Sequence, residues 1–165
     1  MTETGPQEMQ PGEGSTYDSR KDTIAHIRQV RQLLAGAILE LRDRALRHDR
    51  SKLVAPEKPV FDKVTLRLRE LEYGSDEYKA SLVEMGDALQ HHYANNRHHP
   101  EHFEGGVYEM TLIDLIEMLA DWKAAGMRSP GGDLASSIAV NAERFGYDER
   151  LASILLATAD YLGWL

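Results

Sequence analysis

The chain has 165 residues, a formal net charge of −8 and no cysteine. That length suffices for one domain with its own core, and the missing thiols exclude disulfides, thiolate zinc sites and cysteine nucleophiles. The acidic balance argues against broad nucleic-acid binding, which relies on basic patches, and no apolar run of 18 residues suggests a membrane span or a secretory signal.

Residues 1–17 are polar and rich in Gly, Pro and Glu, with no apolar period. They are expected to form a disordered leader, leaving 18–165 as the folded domain. From Asp22 to about Arg47 apolar residues recur at three or four: Ile24, Ile27, Val30, Leu34, Ile38, Leu41 and Ala45. This predicts an amphipathic helix, and His48 extends the stripe, so its side chain is expected to face the core at the helix end. Pro56 and Pro59 mark a break, and 60–72 reads as a further amphipathic helix. Tyr73-Gly74 stops it, and Ser75 can cap the next helix, which runs to about Asn95.

Residues 96–110, with Pro100, Gly105 and Gly106, read as a loop. Thr111 with Asp114 resembles a capping box at the head of an apolar helix ending near Gly126. Ser129-Pro130-Gly131-Gly132 is a turn. Asp133 can cap a helix to Phe145 with Gly146 closing it, and Asp148 can cap the last, to about Leu162. No segment alternates with period two. The expected fold is all-α, a single-domain bundle of five to seven helices.

Imidazoles and carboxylates, the ligands of hydrolytic divalent metals, are concentrated in three places. The first is His48-Asp49. Neighbours on a helix point about 100° apart, so the pair can serve one metal only where the helix ends or is distorted, and Ser51-Lys52-Leu53 suits an ending. The second is HHYANNRHHPEHF, which holds five of the seven histidines. Neutral imidazoles bind metal and protonated ones stabilise phosphate oxygens, while Asn95, Asn96 and Arg97 add donors suited to phosphate. The third is Asp114, Glu117 and Asp121, at i, i+3 and i+7 on one face of a helix that is apolar nearly all round. Buried there, ionised carboxylates need a metal, a proton, or an Arg or Lys from a neighbouring helix. His26 lies 22 residues before His48. An unbroken helix would separate the two by about 33 Å, so they could meet only through a break near Gly36 or a fold-back.

The order His26, His48-Asp49, later histidines, then Asp121 in MLADWKAA resembles the HD-domain phosphohydrolases. That resemblance implies an HD-like all-α fold with His26, His48, Asp49 and Asp121 as metal ligands and His92, with His98 or His99, available to a second metal. The sequence departs from it in reading His48-Asp49-Arg50-Ser51-Lys52 and in the short gap after His26. A longer likeness, through HDRSKL, YGSDEYK, HHYANNRHHPEHF, MTLIDLIEMLADWKAA and SIAVNAERFGY, covers most of residues 22–158. It is similar to a bacteriophage protein family with no established activity, which implies a phage origin and the host cytoplasm as the setting; the lack of disulfides fits a cytoplasmic protein.

The functional expectation is a metal-dependent phosphohydrolase acting on a nucleotide or related phosphomonoester. His48, Asp49, Asp121, His92 and His26 form the metal set, and Asn96, Arg97, His98 and His99 the substrate set. Glu117 is the candidate general base, and Lys52 and Lys123 are candidates to neutralise transition-state charge. Without thiols the metal would be Mn, Fe, Co, Ni or Zn, with Mg also compatible. The partner is a small phosphorylated substrate, with no membrane, and a homo-oligomer is compatible with the sequence. The alternative is a non-enzymatic phage binding module whose histidine cluster is structural or surrounds a closed metal site.

Overall fold

The computed structural model describes residues 17–68, 70–71, 74–128 and 131–165. The expected leader up to Thr16, Tyr73 of the predicted stop and Ser129-Pro130 of the predicted turn lie outside the described residues. The fold is all-α, with helices α1 (Arg20–Arg47), α2 (Glu57–Leu68), α3 (Asp76–Asn95), α4 (Leu112–Gly126), α5 (Leu134–Phe145) and α6 (Glu149–Tyr161), and no strand among the described residues. None of these helices is long and apolar enough to cross a membrane. Contacts divide the chain into two compact units, Met1–Gly36 and Ala37–Leu165, the boundary falling within α1.

Local chemistry accounts for the helix ends. The Ser75 hydroxyl accepts from Tyr78 N at 3.1 Å, and the Asp148 carboxylate accepts from Leu151 N at 3.0 Å. At α4 the capping box is complete: Asp114 N donates to Thr111 Oγ1 while Asp114 Oδ2 accepts from Thr111 N at 2.9 Å. Gly146 closes α5 at φ 68°, a conformation that L side chains resist. α3 is kinked at Gly86 (φ 47°, ψ −125°), where one continuous helix was predicted. The 96–110 connection is built from two short 3-10 turns, Pro100–His102 and Gly106–Glu109.

The core of the larger unit lies among α4, α5, α6 and the second of these turns. Met118, Leu119, Ile138, Leu155 and Ala159 are buried against Val107, Met110 and Tyr147, and the Tyr147 hydroxyl donates to Ile138 O at 2.6 Å. α2 packs on α3, and Val64 of the first and Met85 and Ala88 of the second are buried. α1 differs from its predicted role, because none of its residues is buried. Ile24, Ile27, Val30, Leu34 and Ile38 of the predicted core-facing stripe are all exposed. Periodicity specifies which face is apolar and does not specify that this chain supplies the surface to cover it.

Candidate metal centre

α1 ends at Arg47, and Asp49 adopts left-handed φ 56°, ψ 12° before a 3-10 turn at Arg50–Leu53. It is the one non-glycine residue with positive φ among those described. This break removes the angular mismatch between helical neighbours, so that His48 and Asp49 turn toward the same place. His48 Nε2 lies 3.5 Å from Asp121 Oδ1 and 3.8 Å from Asp49 Oδ2. From the end of α3 and the loop after it, His92 Nε2 and His98 Nε2 lie 3.4 and 3.5 Å from Asp49 Oδ1, and His92 Nε2 lies 2.9 Å from His99 Nε2. Two overlapping sets result, Asp49-His92-His98-His99 and His48-His98-Asp121, each with its ligand atoms within 4.8 Å of one another. All six residues belong to the larger unit.

Two glutamates hold the histidines from behind. Glu117 Oε1 lies 3.0 Å from His48 Nδ1 and 3.3 Å from His98 Nδ1, and its Oε2 accepts from Arg44 at 3.1 Å. Glu57, fully buried, lies 2.9 Å from His92 Nδ1 and 2.7 Å from His91 Nδ1, and it accepts from Ser51 Oγ at 2.9 Å. A carboxylate on Nδ1 fixes ring orientation and tautomer and directs Nε2 to the ligand side, as in metal-bound histidines. Sequence reasoning missed Glu57 and Arg44. Glu57 stands in the first turn of α2, where an acidic residue has an ordinary explanation in the helix dipole. Arg44 lies one turn before His48, and that spacing was the available signal.

The electrostatics follow from this crowding. The His48 imidazole is raised to about 10, by Asp121 first and then Glu117, with burial opposing. Burial, with His98 and His92 nearby, pushes His99 down to about 2, so it is neutral and able to ligate. Burial also lowers His92, with Lys52 adding to the effect. Burial would raise Asp121, but His48 and the neighbouring His98 and His99 outweigh it and hold the carboxyl at about 2. For Glu117 burial is again the opposing influence, outweighed by His48, His98 and Arg44, and the group sits well below the ordinary carboxylate range.

The residues fit a metal. Asp49 Oδ1 and His98 Nε2 are buried without a hydrogen-bond partner among the described residues, a costly condition that a cation would relieve. The floor is closed, with His92 and His98 each 1% exposed. The side chains of His48, Asp49 and Asp121 are 29%, 26% and 23% exposed and form an open lip. Beside the site, a cavity is lined by Glu40, Arg44, Arg47, His48, Asn95, Asn96, Arg97 and Glu117.

The remaining predicted residues have other places. His26 is exposed on α1, belongs to the smaller unit and is in neither ligand set. Lys52 Nζ donates to Asp49 Oδ2 at 2.7 Å and lies over the Phe61 ring. Lys123 acts electrostatically on Asp133. Asn96 donates to Ser51 Oγ and His92 O, both at 2.8 Å. Arg97 forms a two-point pair with Asp114 at 3.0 and 2.9 Å and stacks on Phe103. His98 and His99, predicted to bind substrate, have their nitrogens among the possible ligand atoms. Both Glu117 oxygens are engaged, so a proton-abstracting role is not the one its geometry favours.

Residues 15–161 match a family of unknown function (DUF5662), and the chain belongs to that family. No curated protein and no solved structure matches it.

Proposed function

We propose that this protein is a metal-dependent phosphohydrolase acting on a nucleotide or a related small phosphomonoester. The observation that carries the reading is the convergence of four imidazole Nε2 atoms and two aspartates, with glutamates behind them and an open lip in front. A structural site is closed by its protein ligands, whereas a catalytic one keeps a position accessible; the exposure of His48, Asp49 and Asp121 favours the second. The resemblance of His48-Asp49 and Asp121 to the HD-domain pattern supports the same chemistry, and the bacteriophage likeness makes nucleotides the first substrates to test.

His48, Asp49, His92, His98, His99 and Asp121 would hold the ion, with Mn, Fe, Co, Ni or Zn suited to these ligands. A divalent ion so held supplies water activation near neutral pH and polarisation of a phosphoryl oxygen. Lys52, beside Asp49, offers positive charge to the phosphoryl group. Glu117 and Glu57 orient imidazoles and take no proton from the substrate. Arg44 and Arg97 form the wall of the adjoining cavity, their charges shared with Asp114 and Glu117.

Elemental analysis of protein purified without chelator, followed by assay on a panel of nucleotides and phosphomonoesters with Mn, Co, Ni or Mg, tests this. The expected result is bound transition metal and release of phosphate or pyrophosphate from at least one nucleotide, abolished by Asp49→Ala. Stoichiometric metal with no turnover on the panel would move the reading to a binding module with a structural metal.

A further inference from the structure

The cavity beside the metal centre lies wholly within the larger unit and measures about 260 Å³, below the range of pockets that enclose a whole drug-sized ligand. None of the residues lining it is apolar or aromatic, so it gives a nucleobase nothing to stack on. Its chemistry is that of guanidinium. Arg44, Arg47 and Arg97 line it against two carboxylates, Glu40 and Glu117, three charges against two with His48 set aside, in a chain of net −8. These arginines are held by carboxylates without exhausting their donors. Arg44 donates from Nε to Glu40 and from Nη1 to Asp114 and Glu117, and its Nη2 has no hydrogen-bond partner among the described residues. Arg97 donates from Nε and Nη2 to Asp114 and lies over the Phe103 ring, which leaves Nη1 likewise without a partner among those residues. Arg47 donates from Nη2 to Asp43 and leaves Nε and Nη1 in the same condition. Planar guanidiniums with donors to spare suit two-point capture of a phosphate group.

We infer that this cavity is the subsite for a second phosphate group, so that the ligand carries two or more phosphoryl groups in a chain. His48 belongs to a metal ligand set and also lines the cavity. Glu117 joins it to Arg44, at 3.0 Å from His48 Nδ1 and 3.1 Å from Arg44 Nη1. A phosphoryl group at the open lip thus has the next one in its chain beside the arginines. Held in place before the ligand arrives, these side chains lose little freedom on binding. The inference rests on the phosphohydrolase reading for the first phosphoryl group and narrows it. Nucleoside diphosphates, nucleoside triphosphates and inorganic pyrophosphate share the required chemistry, and monoesters lack it. The arginine wall reads phosphate and leaves the base unread.

Calorimetry on the metal-loaded full chain tests this with carbon-bridged adenosine analogues, resistant to hydrolysis, that carry one or two phosphoryl groups. The analogue with two should bind more tightly, and exchanging adenine for uracil should leave that preference unchanged. Arg47→Met and Arg97→Lys should each cut the preference about tenfold, the share of a charge-assisted contact, with helical and metal content retained. The Arg47 side chain is 63% exposed, so its loss spares the fold, and Lys at 97 keeps the charge facing Asp114 while losing the planar fork. Arg67→Met on α2, a surface arginine paired with Glu84 and not lining the cavity, should leave the preference as it is. Methylenediphosphonate run in parallel separates the two sources: equal or tighter binding names inorganic pyrophosphate, weaker binding names a nucleotide, and either supports the subsite. No preference in the wild type, a preference that follows the base, one that both cavity variants keep, or one that Arg67→Met also lowers would each overturn the proposal. Turnover of nucleotides without this preference would sink the subsite alone, and the preference without turnover would sink the hydrolase reading alone.

Discussion

Asp114, Glu117 and Asp121 share one face of α4, yet each has a different neighbourhood. Asp114 accepts from Arg44 and Arg97 at 2.9–3.0 Å and from Thr111, Glu117 orients His48 and meets Arg44, and Asp121 faces the imidazoles. Asp114→Asn leaves two guanidinium groups facing a neutral, buried amide, and should cost about 3 kcal/mol in denaturant unfolding. Burial opposes ionisation of Asp114, but Arg97, Thr111 and Arg44 outweigh it and hold the carboxyl at about 2. The folded value is below the ordinary one, so this contribution, about 2 kcal/mol, is present above roughly pH 4 and is lost as pH falls through about 2. The stability difference between wild type and Asp114→Asn should therefore shrink across that window; a constant difference would contradict the assignment. Glu117→Gln tests the positioning role. It should weaken metal affinity about 10- to 100-fold while keeping metal binding measurable, whereas Asp121→Asn should remove binding. Equal, complete loss in both would make Glu117 a ligand.

At the scale of the element, what decides the site is where helices stop. The end of α1 at Arg47 and the left-handed Asp49 give a two-residue motif a common target, and the Thr111 cap sets the start of the helix that carries Asp121. Thr111→Ala removes the cap and one hydrogen bond to Asp114, and should lower stability by about 1 kcal/mol, measured by denaturant midpoint with metal content retained. These ends were legible beforehand. Ser75, Thr111, Asp133, Gly146 and Asp148 all stand where their capping chemistry predicted, because a cap is satisfied by backbone within three residues of itself. The kink at Gly86 was not legible, since a glycine inside a helical period gives no sign of whether the helix continues through it. Nor was the exposure of α1, because its apolar stripe reads the same whether its cover comes from this chain or from another.

For the whole molecule, the imidazoles and aspartates of the site tie the segment just after α1, α3, α4 and the loop after α3 to one point. A ligand that binds only the folded state stabilises it by mass action: about 2.7 kcal/mol at a hundred times its dissociation constant. Saturating transition metal should thus raise the melting temperature by roughly 5–10 °C for a chain of this size, and chelator should reverse the shift. An unchanged melting temperature at full occupancy would mean the site also forms in the unfolded chain.

By itself the sequence determined an all-α chain, its helix boundaries to within a few residues, and a pool of imidazoles and carboxylates suited to a divalent metal. Each of these rests on interactions spanning a handful of residues: the helical period, capping bonds, the ligand chemistry of a side chain. Only the tertiary structure decided which of that pool converge. His98 and His99 stand with the ligand atoms while His26 is in neither ligand set, and Glu57 and Arg44 enter from positions with ordinary local explanations. Convergence joins residues 48, 57, 92, 98 and 121 across three helices and two connecting segments. It depends on packing and on where each chain segment turns, quantities that no local pattern contains.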